Sequence, residues 1–224
     1  LFKRCAVLTH QQRGYNLNVA HMTGALAAPL MTWFGVILDW ESRYGMQDFQ
    51  DRFSRGYIRA ISTGGQVGCV PLTCGSIGVR GEPRNERPRV LRSLAASLLA
   101  HELRDWAVGW EGDTTYADAL RALVAFGYGR DDCRVFNYWQ DGYPAVLRGP
   151  DTASLLLARG GEALAVVADY GGGGPCRLEP DAAALGLTPG GRWIDAASGA
   201  ALPGDGAACV FDLARHDFVL LHYR

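Results

Sequence analysis

The chain has 224 residues, is 48% hydrophobic and 20% charged, and carries a formal charge of −1. That is enough apolar material for one large core or two smaller ones, and arginines scattered among acids leave no basic face for nucleic acid. The stretch from Gly14 to Leu38 has no charged residue and is long enough to raise a membrane helix, but Asn16, Asn18, His21, Thr23 and Pro29 interrupt it, so buried strands and a loop are expected and no membrane partner.

The chain opens on LFKRCAVLTH, with neither an initiator Met nor the basic-then-apolar pattern of a signal segment, as expected of a piece of a longer protein. Short apolar runs predict strands in RCAVLTH, LNVAHMT, FGVILDWE, VGCVPL and DWAVGW. Between the later ones the period changes to that of a helix. Phe49, Phe53, Tyr57 and Ile61 recur every fourth residue as one stripe. RPRVLRSLAASLLAHEL opens on Pro88 and carries Leu91, Leu94, Leu98 and Leu99 at helical spacing, and YADALRALVAFGYG stops at Gly127 and Gly129. Strands separated by helices imply parallel crossovers.

Beyond VFNYWQDGYPAVLRGPD the pattern becomes short strands divided by Gly, Pro and Asp: ASLLLARGG, EALAVVADYGGGG, CRLEP, GRWIDAASG, AACVFDLARHD and FVLLHY. This is the signature of an antiparallel sandwich. The expected division is 1–148, a partial (β/α) barrel, and 149–224, a β-sandwich; four or five βα units cannot close an eight-stranded barrel alone. GGGG at 171–174 has no Lys-Ser/Thr and no following helix, so it reads as a hairpin loop rather than a phosphate cradle.

Six cysteines occur without a C-x-x-C pair or a histidine at ligand spacing, so no metal and no cofactor is expected; Cys69 and Cys209 lie in apolar runs, where a thiol serves as a small hydrophobe. There is no G-x-S-x-G elbow, and Cys133 has no evident His partner, which disfavours serine and cysteine hydrolase chemistry.

The carboxylates of FGVILDWE are the candidate reaction centre. Strand parity puts Ile37, Asp39 and Glu41 on one face and Val36, Leu38 and Trp40 on the other. If the apolar set meets the helices, the acids point inward at the strand's C-terminal end, where parallel barrels keep their active sites. Two positions along a strand separate their Cα atoms by roughly 6.6 Å, which serves either carboxyl separation used by glycosidases. The bland alternative is that Asp39 caps the next segment and Glu41 pairs with Arg43. His21 shares a face with Leu17 and Val19 and is either at the mouth or a satisfied core histidine; Gln66 either caps a loop or holds a sugar hydroxyl. His101 and Glu102 lack the second His of a zinc motif; the pair either closes its helix end or, through His101, meets substrate. Trp110 and Trp139, near predicted loops, are the candidate stacking faces for a pyranose, against the alternative of core packing.

Several stretches together resemble a family: NVAHMTGALAAPLMTWFGVILDWES, DFQDRFSRGYIRAISTGGQVGCVPL, LLAHE, FGYGRDDCRVFNYW and LARHDFVLLHY. They look like the C-terminal half of barrel-type bacterial glycoside hydrolases related to the β-N-acetylgalactosaminidases. The resemblance implies a (β/α)8-type barrel followed by a β-sandwich, acting on a carbohydrate substrate of the N-acetylhexosaminide type, with a Glu as acid and a neighbouring Asp orienting the substrate's acetamido group. The family's acid pair is a consecutive Asp-Glu, which this sequence lacks; Asp39-Trp40-Glu41 comes nearest. The expectation is therefore that the principal pair lies upstream of Leu1 in a missing N-terminal half-barrel, with Asp39 and Glu41 as further active-site carboxylates. A non-catalytic carbohydrate-binding or scaffold protein is the rival reading.

Overall fold

The computed structural model describes residues 2–15, 18–21, 33–38, 48–61, 70–75, 79, 82–106, 110 and 112–224. Its first element is a helix, α1 (Phe2–Arg13), where the apolar run CAVL suggests a strand. Four apolar residues fit either period, and here Thr9 Oγ1 donates to the Cys5 carbonyl one turn back (2.9 Å). Ala6 is buried while Val7 and Leu8 face solvent.

Four short strands follow: β1 (Val19–His21), β2 (Val36–Leu38), β3 (Val70–Thr73) and β4 (Arg104–Asp105). They form one sheet in that order with every pairing parallel. One row of the register is His21, Leu38, Leu72 and Arg104, and one residue further Thr73 pairs with Asp105. Parallel neighbours need crossovers, and two of them carry described helices: α2 (Phe49–Arg52) and α3 (Arg55–Ile61) join β2 to β3, and α4 (Arg87–Ala100) joins β3 to β4.

The stripe expected from Phe49 to Ile61 is two helices rather than one. Phe53 is extended (φ −123°, ψ 104°), and Ser54 begins anew, its Oγ accepting from the Tyr57 amide (3.3 Å) as a helix-capping hydroxyl does. The aromatic spacing survives the break: the Phe49 and Phe53 rings lie 4.8 Å apart, and Phe53 stacks on Tyr57 at 5.2 Å.

Pro88 lies in the first turn of α4, where its missing N–H costs nothing. From Val90 to Ala100 every residue of this helix is buried except Arg92, the mark of a helix enclosed on all sides. Gly75 lets it close on the end of β3: a Cβ there would stand 2.8 Å from Leu94 Cδ1. Helix α5 (Thr115–Phe126) ends on Gly127, whose φ of 128° suits only glycine.

The remaining strands are β5 (Arg134–Asn137), β6 (Ala145–Arg148), β7 (Thr152–Arg159), β8 (Glu162–Asp169), β9 (Gly174–Pro180), β10 (Trp193–Asp195), β11 (Cys209–Leu213) and β12 (Phe218–Tyr223), with the short helix α6 (Ala182–Leu185) between β9 and β10. They make two antiparallel sheets, β10-β12-β8-β7-β5 and β11-β9-β6. Residues 134–148, which the sequence pattern groups with the first segment, thus supply β5 to one antiparallel sheet and β6 to the other.

Strands β7 and β8 read as continuous apolar runs because both of their faces are covered. Leu155, Leu157, Leu164, Val166 and Ala168 join the core around α4 and α5, whereas Leu156, Ala158, Ala163, Ala165 and Val167 join the core shared with the three-stranded sheet. Period two is preserved, but every position meets apolar neighbours. The core around α4 therefore spans the helical and sandwich parts, so the two halves are not cored separately. Among the described residues no helix is long and apolar enough to cross a membrane.

Candidate functional site

Each strand of the parallel sheet ends at the same edge, and the register brings Thr73 of β3 beside Asp105 of β4. Thr73 is buried, and its Oγ1 donates to Asp105 Oδ1 (2.6 Å). The indole Nε1–H of Trp110 donates to Asp105 Oδ2 (3.0 Å). Bonds to both oxygens fix the carboxylate's orientation. The next residue, Trp106, has its amide bound to the Thr73 carbonyl (2.7 Å) and its side chain 45% exposed. An exposed indole at a strand end offers a flat face on which a pyranose can lie.

The sequence-predicted residues divide between two places. His21 ends β1 at this same edge and is exposed. Trp110 is here too, but only 7% exposed and stacked on Tyr116 at 5.1 Å, so it holds Asp105 while Trp106 presents the open ring. Asp39, Glu41 and Gln66 lie outside the described residues. In sequence Asp39 directly follows the last residue of β2, and the segment holding both acids ends at Asp48.

Asp48 is anchored firmly. Its side chain is 4% exposed and pairs with Arg89 of α4, with Arg215 Nη1 (3.2 Å) and with His216 Nδ1 (2.8 Å). His216, in the turn before β12, has φ 55°, and its amide donates to Asp169 Oδ2 (2.8 Å). Gln50 spans the same junction, donating to the His216 carbonyl at 3.3 Å, and Ser93 of α4 donates to its Oε1. Burial, and then Arg215, hold the His216 pKa below the usual histidine range. Ligand atoms of Asp48, Asp51 and His216 lie within 4.8 Å of one another, as a cation would require. Two guanidinium groups already occupy Asp48, however, and their charge opposes a second cation. The cluster ties a sandwich turn to the loop side of the parallel sheet.

His101 and Trp139 lie at the opposite edge, since His101 follows α4 and precedes β4. His101 is 2% exposed. Its Nδ1–H donates to the Ser97 carbonyl (2.8 Å), and Nε2 accepts from the Tyr138 hydroxyl (2.9 Å). Burial lowers its pKa to about 4, so the ring is neutral at pH 7. Trp139 stacks on it at 5.5 Å with 12° between planes. Glu102 accepts from Tyr128 Oη (2.8 Å) and Asn137 Nδ2 (2.9 Å), so the His-Glu pair closes the helix end against the sandwich.

Sequence reasoning does not single out Asp105, and it assigns Trp106 to packing rather than to the stacking faces. The available signal was the dipeptide Asp-Trp, which stands at 39–40 and again at 105–106.

Solved structures that this chain resembles in fold include glycoside hydrolases. A variant of a GH27 β-L-arabinopyranosidase from Geobacillus stearothermophilus, in complex with arabinose, matches over 99% of this chain and 61% of its own, at 12% identity and a TM-score of 0.53. Its wild-type form matches over 99% and 60%, at 10% identity and a TM-score of 0.51. A noncanonic maltogenic α-amylase from Thermotoga neapolitana matches over 97% and 57%, at 10% identity and a TM-score of 0.52. The fold is glycoside-hydrolase-like. This chain spans about three fifths of the length of those proteins. No family model and no curated protein matches the sequence.

Proposed function

We propose that the chain is the C-terminal part of a glycoside hydrolase and contacts its carbohydrate substrate at the C-terminal edge of the parallel sheet. The observation that carries this reading is the exposed Trp106 ring at the end of β4, next in sequence to Asp105, which Thr73 and Trp110 hold, on a glycoside-hydrolase-like fold. In parallel barrels, strand C-terminal ends are where catalytic groups gather. In this reading Asp39 and Glu41, which follow β2 in sequence, add carboxylates to the same edge, with Glu41 the stronger candidate for proton transfer and Asp39 for substrate contact. An upstream half-barrel supplies the principal acid pair and covers the outer edge of β1, with which no other described strand pairs and where Val19 is 51% exposed. An N-acetylhexosaminide is the finer substrate proposal and follows from the resemblance of the sequence to the β-N-acetylgalactosaminidases.

A second reading is favoured by the chain's matching only about three fifths of each neighbour: it holds glycan without cleaving it. Steady-state turnover of a panel of aryl glycosides, aryl N-acetylhexosaminides included, separates the two when run beside calorimetric titration with the matching free sugars. The hydrolase reading expects turnover that falls at least about a hundredfold in kcat for Glu41→Gln. Asp105→Asn is expected to act mainly on KM. Saturable binding without turnover of any glycoside would favour the second reading. Absence of both binding and turnover would overturn both.

A further inference from the structure

We infer that a second carbohydrate site lies in the cleft between α3 and the sandwich loops, and that it takes a short neutral oligosaccharide. The inference rests on the protein's being carbohydrate-active, and it concerns a place remote from the Asp105 edge. The cleft has a volume of about 510 Å³, within the range of small-molecule sites. Its walls come from both halves of the chain: Arg55 and Arg59 on α3, Tyr138 and Trp139 after β5, Asp151 before β7 and Tyr170 after β8.

These side chains are held in place before any ligand arrives. Trp139 is stacked on His101, whose two ring nitrogens are fixed by Ser97 and Tyr138. Tyr170 Oη donates to Ser97 Oγ at 2.9 Å. Arg55 donates through Nη1 to the Thr152 carbonyl (2.6 Å) and through Nη2 to Asp151 Oδ1 (2.5 Å). Such fixed geometry lowers the entropic cost of binding.

Three polar groups are left over. Among the described residues the indole N–H of Trp139 has no acceptor, Asp151 Oδ2 has no donor, and the Nε–H of Arg55 is unspent. Two donors and a carboxylate acceptor are what adjacent sugar hydroxyls need, because each hydroxyl both donates and accepts. The Arg59 guanidinium lies 5.6 Å from the centre of the Trp139 ring, which also stacks on His101, so Trp139 contributes its polar rim rather than a bare face. Asp151, 52% exposed and paired with Arg55 through Oδ1, keeps Oδ2 as an acceptor for a neutral hydroxyl.

The test is isothermal titration of the full chain with maltotriose, xylotriose, cellotriose and N,N′-diacetylchitobiose, repeated for Asp151→Asn, Trp139→Phe and Asp105→Asn. Trp139→Phe keeps an aromatic ring on His101 while removing the indole N–H with its five-membered ring, and Asp151→Asn, at an exposed position, keeps the fold if the first does not. The expected result is saturable binding of at least one probe, weakened about tenfold or more by Asp151→Asn and by Trp139→Phe and retained in Asp105→Asn. No saturable binding up to about 10 mM, or binding that Asp151→Asn leaves unchanged, overturns the cleft. Turnover reads the other site separately: a chain that cleaves glycosides without using the cleft sinks this inference alone. A chain that binds at the cleft and cleaves nothing sinks the hydrolase reading alone.

Discussion

The parallel and the antiparallel sheets of this protein are built to different depths. Strands β1 to β4 hold from two to four residues each, and Val19 and Val70 are about half exposed on them. Strands β7 and β8 hold eight residues each, with buried runs at 153–158 and 163–169. Burial between α4 and the three-stranded sheet makes β7 and β8 the rigid centre. The parallel sheet ends instead at an edge where Trp106 is exposed, the place proposed to meet a ligand. The Asp48 cluster connects the two, because it fixes the sandwich turn at His216 to the end of the segment that carries Asp39 and Glu41.

The largest expected effect lies in the antiparallel centre. Leu156 is fully buried between the sheets, so Leu156→Ala should cost about 2–5 kcal/mol in urea unfolding. Val19→Ala on the parallel edge should cost less than about 0.5 kcal/mol. Equal losses would mean that the parallel sheet is as deeply built as its neighbour.

Stability should also depend on pH through the layer between the halves. The fold holds His101 at about 4, against 6.5 for the free side chain, so the unfolded chain takes up a proton first as the pH falls. The contribution is complete above the unfolded value and is lost through the window from 6.5 down to about 4, amounting to about 3 kcal/mol. His216 is shifted in the same direction. Unfolding midpoints at pH 7 and at about 4.5 should therefore differ, and His101→Gln should flatten the slope. A slope unchanged in that variant would place the titrating group elsewhere.

The Asp48 connection should be worth less. Its two arginines are about half exposed and regain water when the carboxylate is removed, so Asp48→Asn should cost about 1–3 kcal/mol. Its diagnostic effect is faster hydrogen exchange at the 214–217 turn while β7 and β8 stay protected. Uniform loss of protection would show one cooperative unit without a distinct junction.

The smallest stability effect belongs to the ligand edge. Trp106→Ala should change unfolding by less than about 0.5 kcal/mol yet weaken glycan binding about tenfold. Trp110→Phe should do the reverse in emphasis, because it removes the bond that orients Asp105 and perturbs a buried stack. If Trp106→Ala leaves every glycan affinity unchanged, the stacking role fails.

Much of the architecture is legible in the amino-acid order because it follows from local chemistry. The strands from β7 to β12 are apolar runs punctuated by Gly, Pro and Asp. Pro88 and Gly127 mark helix ends through their own backbone preferences, and the strand-helix alternation implies the parallel crossovers. Where local chemistry is ambiguous the reading fails, as with CAVL in α1, or with the phenylalanine stripe that Ser54 interrupts without changing its spacing.

What tertiary structure alone decided is which side chains meet. Asp48 and His216 are 168 positions apart, as are no residues that periodicity can connect. Nothing in the order of residues tells the solvent-open Trp106 from the buried Trp110 four positions on, because the choice depends on where Tyr116 and Asp105 come to lie. Nor does it reveal that His101, a plausible ligand in sequence, has both nitrogens spent between Ser97 and Tyr138. Hydrophobic period and turn chemistry act over a few residues and are written in the chain. The closure of a hydrogen bond or the burial of a ring depends on how distant elements stack, and that is set by the packing of β7 and β8 against α4.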